Sequence, residues 1–547
     1  MGIKVPSALA VFFFATLTQA APPILGSPQA KKGGNFRYNI LVSPQTLNPI
    51  TAHDGYAVRV RPWMSESLLE HHVDTYEWLP LLAKSYTIAP DKKSVRFELR
   101  QGVKFHDGSD LTADDVKFSL DIYRRDTGTG LESQILSNVE AVEIPDSQSV
   151  IVRFKKALFS NLQLVASLPI VPKKVYSDKE KASLLNRTVV GTGPYRFKEY
   201  TPGQRLILEK NPNWWGKNLP RFKYKFNFDQ ITVRFVNEVI PSLQMIKAGE
   251  LDYRSLSYLT PNEYLKEDPQ GKLKIVKIQN YSVYTSGMNI YWNLRLPLFK
   301  SKKVRRALQL LLNRKMMNEK TMGSPSLFTT GPWHRLSEYA DPSVREVGFD
   351  PIEAQRLLKS DGWADTNGDG ILDKVIDGKR VDFRINLSFA TSDHDQILSL
   401  YQYELKKAGI QLDLQRMEWA TLLTKLQELK FEAYLMGRGY PGLIDFNPRL
   451  DWHSEMIDKT DSNDVAYSNP KLDRILETAE TEFDRKKRIQ LLRNAYRLIA
   501  EDQVFLFLFS DPATYLATSP RIRCQKPSYR YAVGIDYWWI EEASSTQ

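Results

Sequence analysis

The run Asp365-Thr-Asn-Gly-Asp-Gly-Ile-Leu-Asp373 places side-chain oxygens at its first, third, fifth and ninth positions, with Gly370 at the sixth. That is the front of a calcium loop, in which hard oxygen ligands gather round the ion and the glycine permits a sharp turn. The bidentate Glu needed at the twelfth position is replaced by Ile376, and Asp377 comes one place late. The competing reading is an Asp/Asn/Gly turn whose side chains bond their own backbone. Asp365, Asn367, Asp369 and Asp373 are thus a calcium candidate with an incomplete ligand set. No other cofactor is expected.

Reaction chemistry finds no foothold. The chain has no Gly-x-Ser-x-Gly, no His-Glu-x-x-His, no phosphate-cradling Gly-Lys-Ser/Thr loop and no paired cysteine. His71 and His72 are the only adjacent histidines, and neighbours on a helix point apart, so they share one metal poorly. Cys524, the single cysteine, follows Arg521-Ile-Arg523 with no histidine near it in sequence and reads as an inert thiol. No catalytic residue is expected.

The elements around these residues are those of a large soluble chain. A length of 547 residues exceeds one core and predicts two to four lobes. A hydrophobic content of 42% with 25% charged residues is ordinary for a globular protein. The net charge, +11, is dispersed; its densest cluster, Arg485-Lys-Lys-Arg488, reads as a solvated helix face. With no reader motif, nucleic acid is not an expected partner. Residues 1–20 read as a cleavable signal peptide: Lys4, an apolar run containing Phe12-Phe-Phe14, then Thr18-Gln-Ala20. The apolar run is too short to span a bilayer, and no lipobox cysteine follows it, so export to a periplasm is expected. Residues 21–34 read as a flexible leader.

Val95, Phe97 and Leu99 alternate with charged residues as a half-buried strand, and His106-Asp-Gly-Ser109 reads as a turn. Thr112, with Asp115 three places on, starts a helix. In the second half, Val304, Ala307, Leu308, Leu311 and Leu312 recur at helical spacing, with Lys302, Lys303, Arg305 and Arg306 largely on other faces. Asp350 caps a helix that begins at Pro351. Strands at 383–389, 410–414 and 431–436 alternate with helices at 397–408 and 420–429, which predicts a doubly wound lobe with parallel strands. Asn469-Pro470 and Asp484 open two further helices. Val504-Phe-Leu-Phe-Leu-Phe509 is continuously apolar, as a strand buried on both faces should be.

Several stretches together resemble one family. They are Thr46-Leu-Asn-Pro49 with Glu66-Ser-Leu-Leu69; Pro80-Leu-Leu-Ala83 with the whole of 95–120; and Gly191-Thr-Gly-Pro-Tyr-Arg-Phe197 with Leu208-Glu-Lys-Asn-Pro-Asn-Trp-Trp-Gly216. Pro297-Leu-Phe299 with Val304-Arg-Arg-Ala-Leu308 and Asn313-Arg314, and Tyr467-Ser-Asn-Pro-Lys-Leu-Asp473, complete the set. In order and spacing the chain resembles the extracellular solute-binding proteins of family 5, the dipeptide- and oligopeptide-binding receptors of ABC importers. The resemblance implies an α/β, bilobed periplasmic-binding-protein type II fold with an extra domain, mixed sheets flanked by helices, and a two-segment hinge. On that basis lobe I takes residues 35–80, 187–288 and 510–547, the extra domain 81–186 and lobe II 289–509, with crossings near 286–293 and 506–511. It also implies a monomer that closes on a peptide or other small molecule and docks on an inner-membrane ABC permease with its ATPase. The alternatives are a receptor for an oligosaccharide, opine-like compound, metal chelate or haem, and a secreted hydrolase.

Peptide binders of this family show an Asp soon after the strand equivalent to 431–436, where it meets the peptide's terminal amine. Here Arg438 and Tyr440 occupy the early positions and Asp445 is the first acid. Asp445 is either that anchor, displaced by an insertion, or the cap of the turn into Asn447-Pro448. On the second reading Arg438 favours a ligand carboxylate or phosphate, gripped bidentately. Trp452-His453-Ser454 resembles members that bind larger or modified peptides, and His453 leaves nickel or haem open. Asn289, Tyr291 and Trp292, at the proposed crossing, either wall the cleft or pack the hinge. Trp419, opening a helix after a strand, is a cleft candidate or a core residue.

Overall fold

The computed structural model describes residues 24–52, 54–124, 136–178, 185, 189–256, 260, 262–278, 285–321, 327–439, 447–459, 463–510 and 514–541. The expected signal peptide lies outside the described residues. Among them, no helix is long and apolar enough to cross a membrane.

Three sheets carry the architecture. The first orders its strands Lys274–Ile278, Thr514–Thr518, Tyr253–Leu256, Asn35–Ile40, Gln230–Phe235, Arg205–Lys210 and Tyr195–Thr201. Asn35–Ile40 runs parallel to both of its neighbours, and the remaining pairings are antiparallel. The second orders Leu327–Phe328, Phe505–Ser510, Thr285–Trp292, Ala433–Gly439, Arg384–Phe389 and Gln411–Arg416. Its last three strands are parallel and are linked through the helices Asp395–Lys407 and Trp419–Gln427, as the alternation predicts. The expectation of a parallel lobe holds only for that half. Thr285–Trp292 pairs antiparallel with both its neighbours, so the sheet is mixed. The third sheet, Ala83–Ile88, Ser94–Leu99, Ser149–Phe154 and Val139–Asp146, is covered by the helix Ala113–Arg124. That helix starts where Thr112 N–H and Oγ1 donate to Asp115 Oδ2 at 2.9 and 2.7 Å.

The second sheet is buried on both faces, and period-two alternation sorts its residues. Ile290, Trp292, Leu506 and Leu508 enter one core. Tyr291, Tyr434, Phe505 and Phe507 enter the core on the other side. The basic helix Lys302–Leu310 differs from expectation at one residue. Lys302, Lys303 and Arg306 are exposed, but Arg305 is buried. Its guanidinium donates to the carbonyls of Phe299 (2.8 Å), Lys300 (2.9 Å), Asp502 (2.8 and 3.1 Å) and Gln503 (3.2 Å), which ties the helix to the entry of Phe505–Ser510. Arg488 is likewise buried rather than on a solvated face, donating to Glu482 O at 2.7 Å.

The chain passes from the first sheet to the second between Ile278 and Thr285, and returns between Ser510 and Thr514. The first passage comes ahead of the expected 286–293, because Thr285–Trp292 is paired within the second sheet along its length. The linking residues 279–284 and 511–513 lie outside the described residues.

Signature residues meet at the joint between the first and third sheets. A Cβ on Gly191 would lie 2.2 Å from Met64 O, and one on Gly193 would lie 2.6 Å from the Met64 carbonyl carbon, so only glycine permits this approach. Gly193 N–H donates to Met64 O at 2.9 Å. Two residues on, the Glu66 carboxylate accepts from Trp214 Nε1 (3.0 Å) and Trp215 Nε1 (2.7 Å). Burial pushes the Glu66 carboxyl up to about 7, against the opposing pull of those indole N–H groups. A carboxyl raised above its ordinary 4.5 holds its proton better in the folded chain. Its ionisation therefore costs nothing below that ordinary value, and stability falls as pH climbs through about 7. The neutral Glu66→Gln variant escapes this cost. Its melting temperature should gain on the parent's between about pH 5 and pH 8, and a constant difference would contradict the assignment.

Candidate functional site

One edge of the second sheet collects the ends of its parallel strands. Ser392 follows Arg384–Phe389, Trp419 follows Gln411–Arg416, and Arg438 is the penultimate residue of Ala433–Gly439. The carboxyl edge of parallel strands is where open α/β sheets bind ligands, because the loops diverge there and leave a crevice. The antiparallel register brings Thr285 opposite Gly439 and Met288 opposite Phe509, so both linking segments leave from this same edge.

Residues packed with the first sheet, which forms the first body as the second sheet forms the second, face it. Asp54 caps the helix Gly55–Val60, accepting from the N–H groups of Tyr56 (2.9 Å) and Ala57 (3.0 Å). So anchored, Tyr56 meets Trp419 edge to face, with ring centroids 5.5 Å apart. Arg59, three residues along the same helix, holds its guanidinium 5.8 Å from the Tyr56 ring. On the same edge Ser392 Oγ donates to Glu238 Oε1 at 3.1 Å. Burial holds the His394 imidazole down to about 4, so it is uncharged at neutral pH. The buried Trp419 Nε1 has no hydrogen-bond partner among the described residues. The edge thus offers ring surface and a cation, which are means of holding a solute.

Comparison with known proteins places the whole chain in a family. Residues 77–453 match the family described as bacterial extracellular solute-binding proteins, family 5. The chain belongs to that family. Among family 5 relatives, the oligopeptide-binding protein AppA of Bacillus subtilis is 28% identical, over 99% of this chain and 98% of its own. The structure of AppA in complex with a nonapeptide aligns with a TM-score of 0.82 at 26% identity, covering 94% of this chain and all of AppA. Helicobacter pylori DppA in complex with the peptide STSA (TM-score 0.81, 18% identity, 94% and 99% covered) shares the fold. So does Campylobacter jejuni NikZ in complex with Ni(L-His) (TM-score 0.76, 20% identity, 92% and 99% covered).

Of the residues singled out from sequence in this family 5 chain, Trp419 is half-buried, packed against the core that holds Tyr434 and Phe505 and meeting Tyr56 at the strand-end edge. Arg438 contributes its backbone to the same edge, while Tyr440 and Asp445 lie outside the described residues. The others are placed in the core rather than the cleft. Tyr291 and Trp292 are consecutive in a strand and therefore point to opposite faces. Trp292 stacks on Phe299 at 5.1 Å, and Tyr291 stacks on Tyr434 at 4.7 Å, both fully buried. Asn289 is also fully buried, donating to Gly287 O (3.1 Å) and Tyr291 Oη (3.4 Å). Trp452 packs against Phe505 at 4.9 Å. His453 Nδ1 accepts from the Glu455 N–H at 3.1 Å, while its Nε2 lies 3.4 Å from Glu477 Oε1.

The Asp365–Asp373 loop is bonded as a turn. Asp365 accepts from the N–H groups of Gly368 (2.7 Å) and Gly370 (2.9 Å), and Asp369 accepts from Ile371 N–H (2.8 Å) and Asn367 Nδ2 (2.9 Å). Asp373 takes the N–H and Oγ1 of Thr366, which holds its carboxyl below the usual range.

Tyr56, Arg59, Glu238 and Ser392 escaped the sequence reading, since no spacing in the chain marks a contact between residues so far apart. If the Tyr56–Trp419 contact holds the bodies together, Tyr56→Ala should enlarge the radius of gyration measured by solution scattering. An unchanged radius in both Tyr56→Ala and Trp419→Ala would contradict that role.

Proposed function

We propose that this protein is the peptide-binding receptor of an ABC-type importer. It is exported behind residues 1–20 to the periplasm, captures an oligopeptide between its two bodies, and delivers it unchanged to an inner-membrane permease coupled to an ATPase. It acts as a monomer and not as an enzyme. The observation that carries this reading is the end-to-end likeness to AppA, which spans nearly all of both chains and includes a nonapeptide complex. The cleft chemistry supports it. A receptor for peptides of varied sequence needs broad ring surface rather than a snug charged pocket, and Tyr56 and Trp419 supply it. Arg59 beside them suits a carboxylate, which every free peptide carries.

Closure follows from differential contact. The bodies swing together only to the extent that the bound solute touches both more favourably in the closed arrangement than in the open one. Native mass spectrometry of protein purified from its own host should show a retained peptide in stoichiometric amount. Calorimetry with a nonapeptide should show Trp419→Ala weakening binding by about tenfold or more, the loss of a ring anchor. Retention of a sugar or metal chelate instead, with no peptide binding, would replace this reading by another solute of the same receptor class. Steady cleavage of the peptide would overturn it.

A further inference from the structure

A cavity of about 1160 Å³ lies apart from the cleft edge and shares no lining residue with Tyr56, Trp419, Ser392 or Glu238. Its walls come from both bodies. The third sheet and its loops supply Ile88, Lys92 and Ser160, the second body supplies Leu336 and Phe483, and the C-terminal segment supplies Arg530 and Tyr531. Three observations mark it as built for a guest. Ile88 (45% exposed), Leu336 (57%) and Phe483 (38%) all border it, gathering at one mouth apolar side chains that elsewhere would be scattered. Ser160 is only 3% exposed, and its hydroxyl has no hydrogen-bond partner among the described residues although it lines the cavity. The Lys92 ammonium sits 3.8 Å from the Phe483 ring and the Arg530 guanidinium 5.3 Å from the Tyr531 ring, neither ion-paired among the described residues. Of the lining carboxylates, Glu338 pairs with Arg485, while Glu77 accepts from Thr75 Oγ1 at 3.1 Å and has no ion pair among the described residues. The wall is stiff, because His71 is sandwiched between Tyr76 (3.8 Å) and Trp78 (3.7 Å) and bonded to Gln163 at 3.0 Å.

We propose that this cavity is a second ligand site, selective for an amphipathic monoanion: an apolar acyl or aryl body with one carboxylate. The body lies among the rings and the apolar mouth, while the carboxylate meets Lys92 or Arg530 and the Ser160 hydroxyl. The site spans the boundary that closure moves. Phe159 N–H donates to Glu480 O at 3.1 Å, and Arg488 lies 4.2 Å from the Phe159 ring, so its walls are complete only when the bodies are together. An occupant therefore favours the closed arrangement and, by reciprocity of linked equilibria, raises affinity at the main cleft.

The test is calorimetry on the full chain without peptide, using sodium decanoate as the acyl probe and indole-3-acetate as the aryl probe. At least one should bind, with Phe483→Ala and Arg530→Glu each weakening it by about tenfold. The probe that binds identifies the body. Both substitutions fall on exposed side chains and leave the fold intact. Failure of both probes to bind at about 1 mM, or binding unmoved by both substitutions, would overturn the proposal. Because peptide is absent, the outcome stands whatever the main cleft carries.

Discussion

Two cross-strand pairings govern how this chain works. In the first sheet Ile278 lies opposite Thr514, and in the second Met288 lies opposite Phe509. The chain therefore leaves one sheet and re-enters it at paired positions, and does the same at the other. Under the proposed function, two links whose flanking residues are paired in both sheets would let the bodies bend about one line. Strand pairing at the ends of the links is what would confine that motion.

Under the proposed function, the same register decides where a solute is held. Thr285 and Ser510, the described ends next to the two links, lie at the edge where the parallel strands of the second sheet end, so closure as proposed acts on the crevice that strand order creates. Burial on both faces of that sheet gives the moving body rigidity: a Tyr and Phe layer lies on one side and a Trp and Leu layer on the other. Arg305 adds to it by spending its guanidinium on backbone carbonyls at the strand's entrance.

Local structure was legible where one side chain decides it. Asp350, Asn469 and Asp484 cap the helices they were expected to cap, and the Thr112–Asp115 pair starts its helix. The apolar run at 504–509 is buried on both faces as its composition requires. Family signatures that look arbitrary in sequence, Glu66, Gly191, Gly193 and Trp214-Trp215, prove to be one contact. What stayed hidden depends on register. From its place at the proposed crossing, Tyr291-Trp292 could wall the cleft or pack the hinge, but strand alternation sends the two rings into opposite cores. Arg305 looks like any helix-surface arginine until the turn that receives it is known. Tyr56 and Trp419 lie far apart in the chain and come within reach only when two bodies meet.

The direct test of this account is a distance across the pivot. Spin labels at Lys217→Cys and Lys430→Cys, in a Cys524→Ser background, report one exposed site on each body. Addition of a nonapeptide should collapse a broad distance distribution to a single narrower one. Calorimetrically verified binding with an unaltered distribution would contradict the claim that a paired two-segment pivot shuts the bodies over their solute.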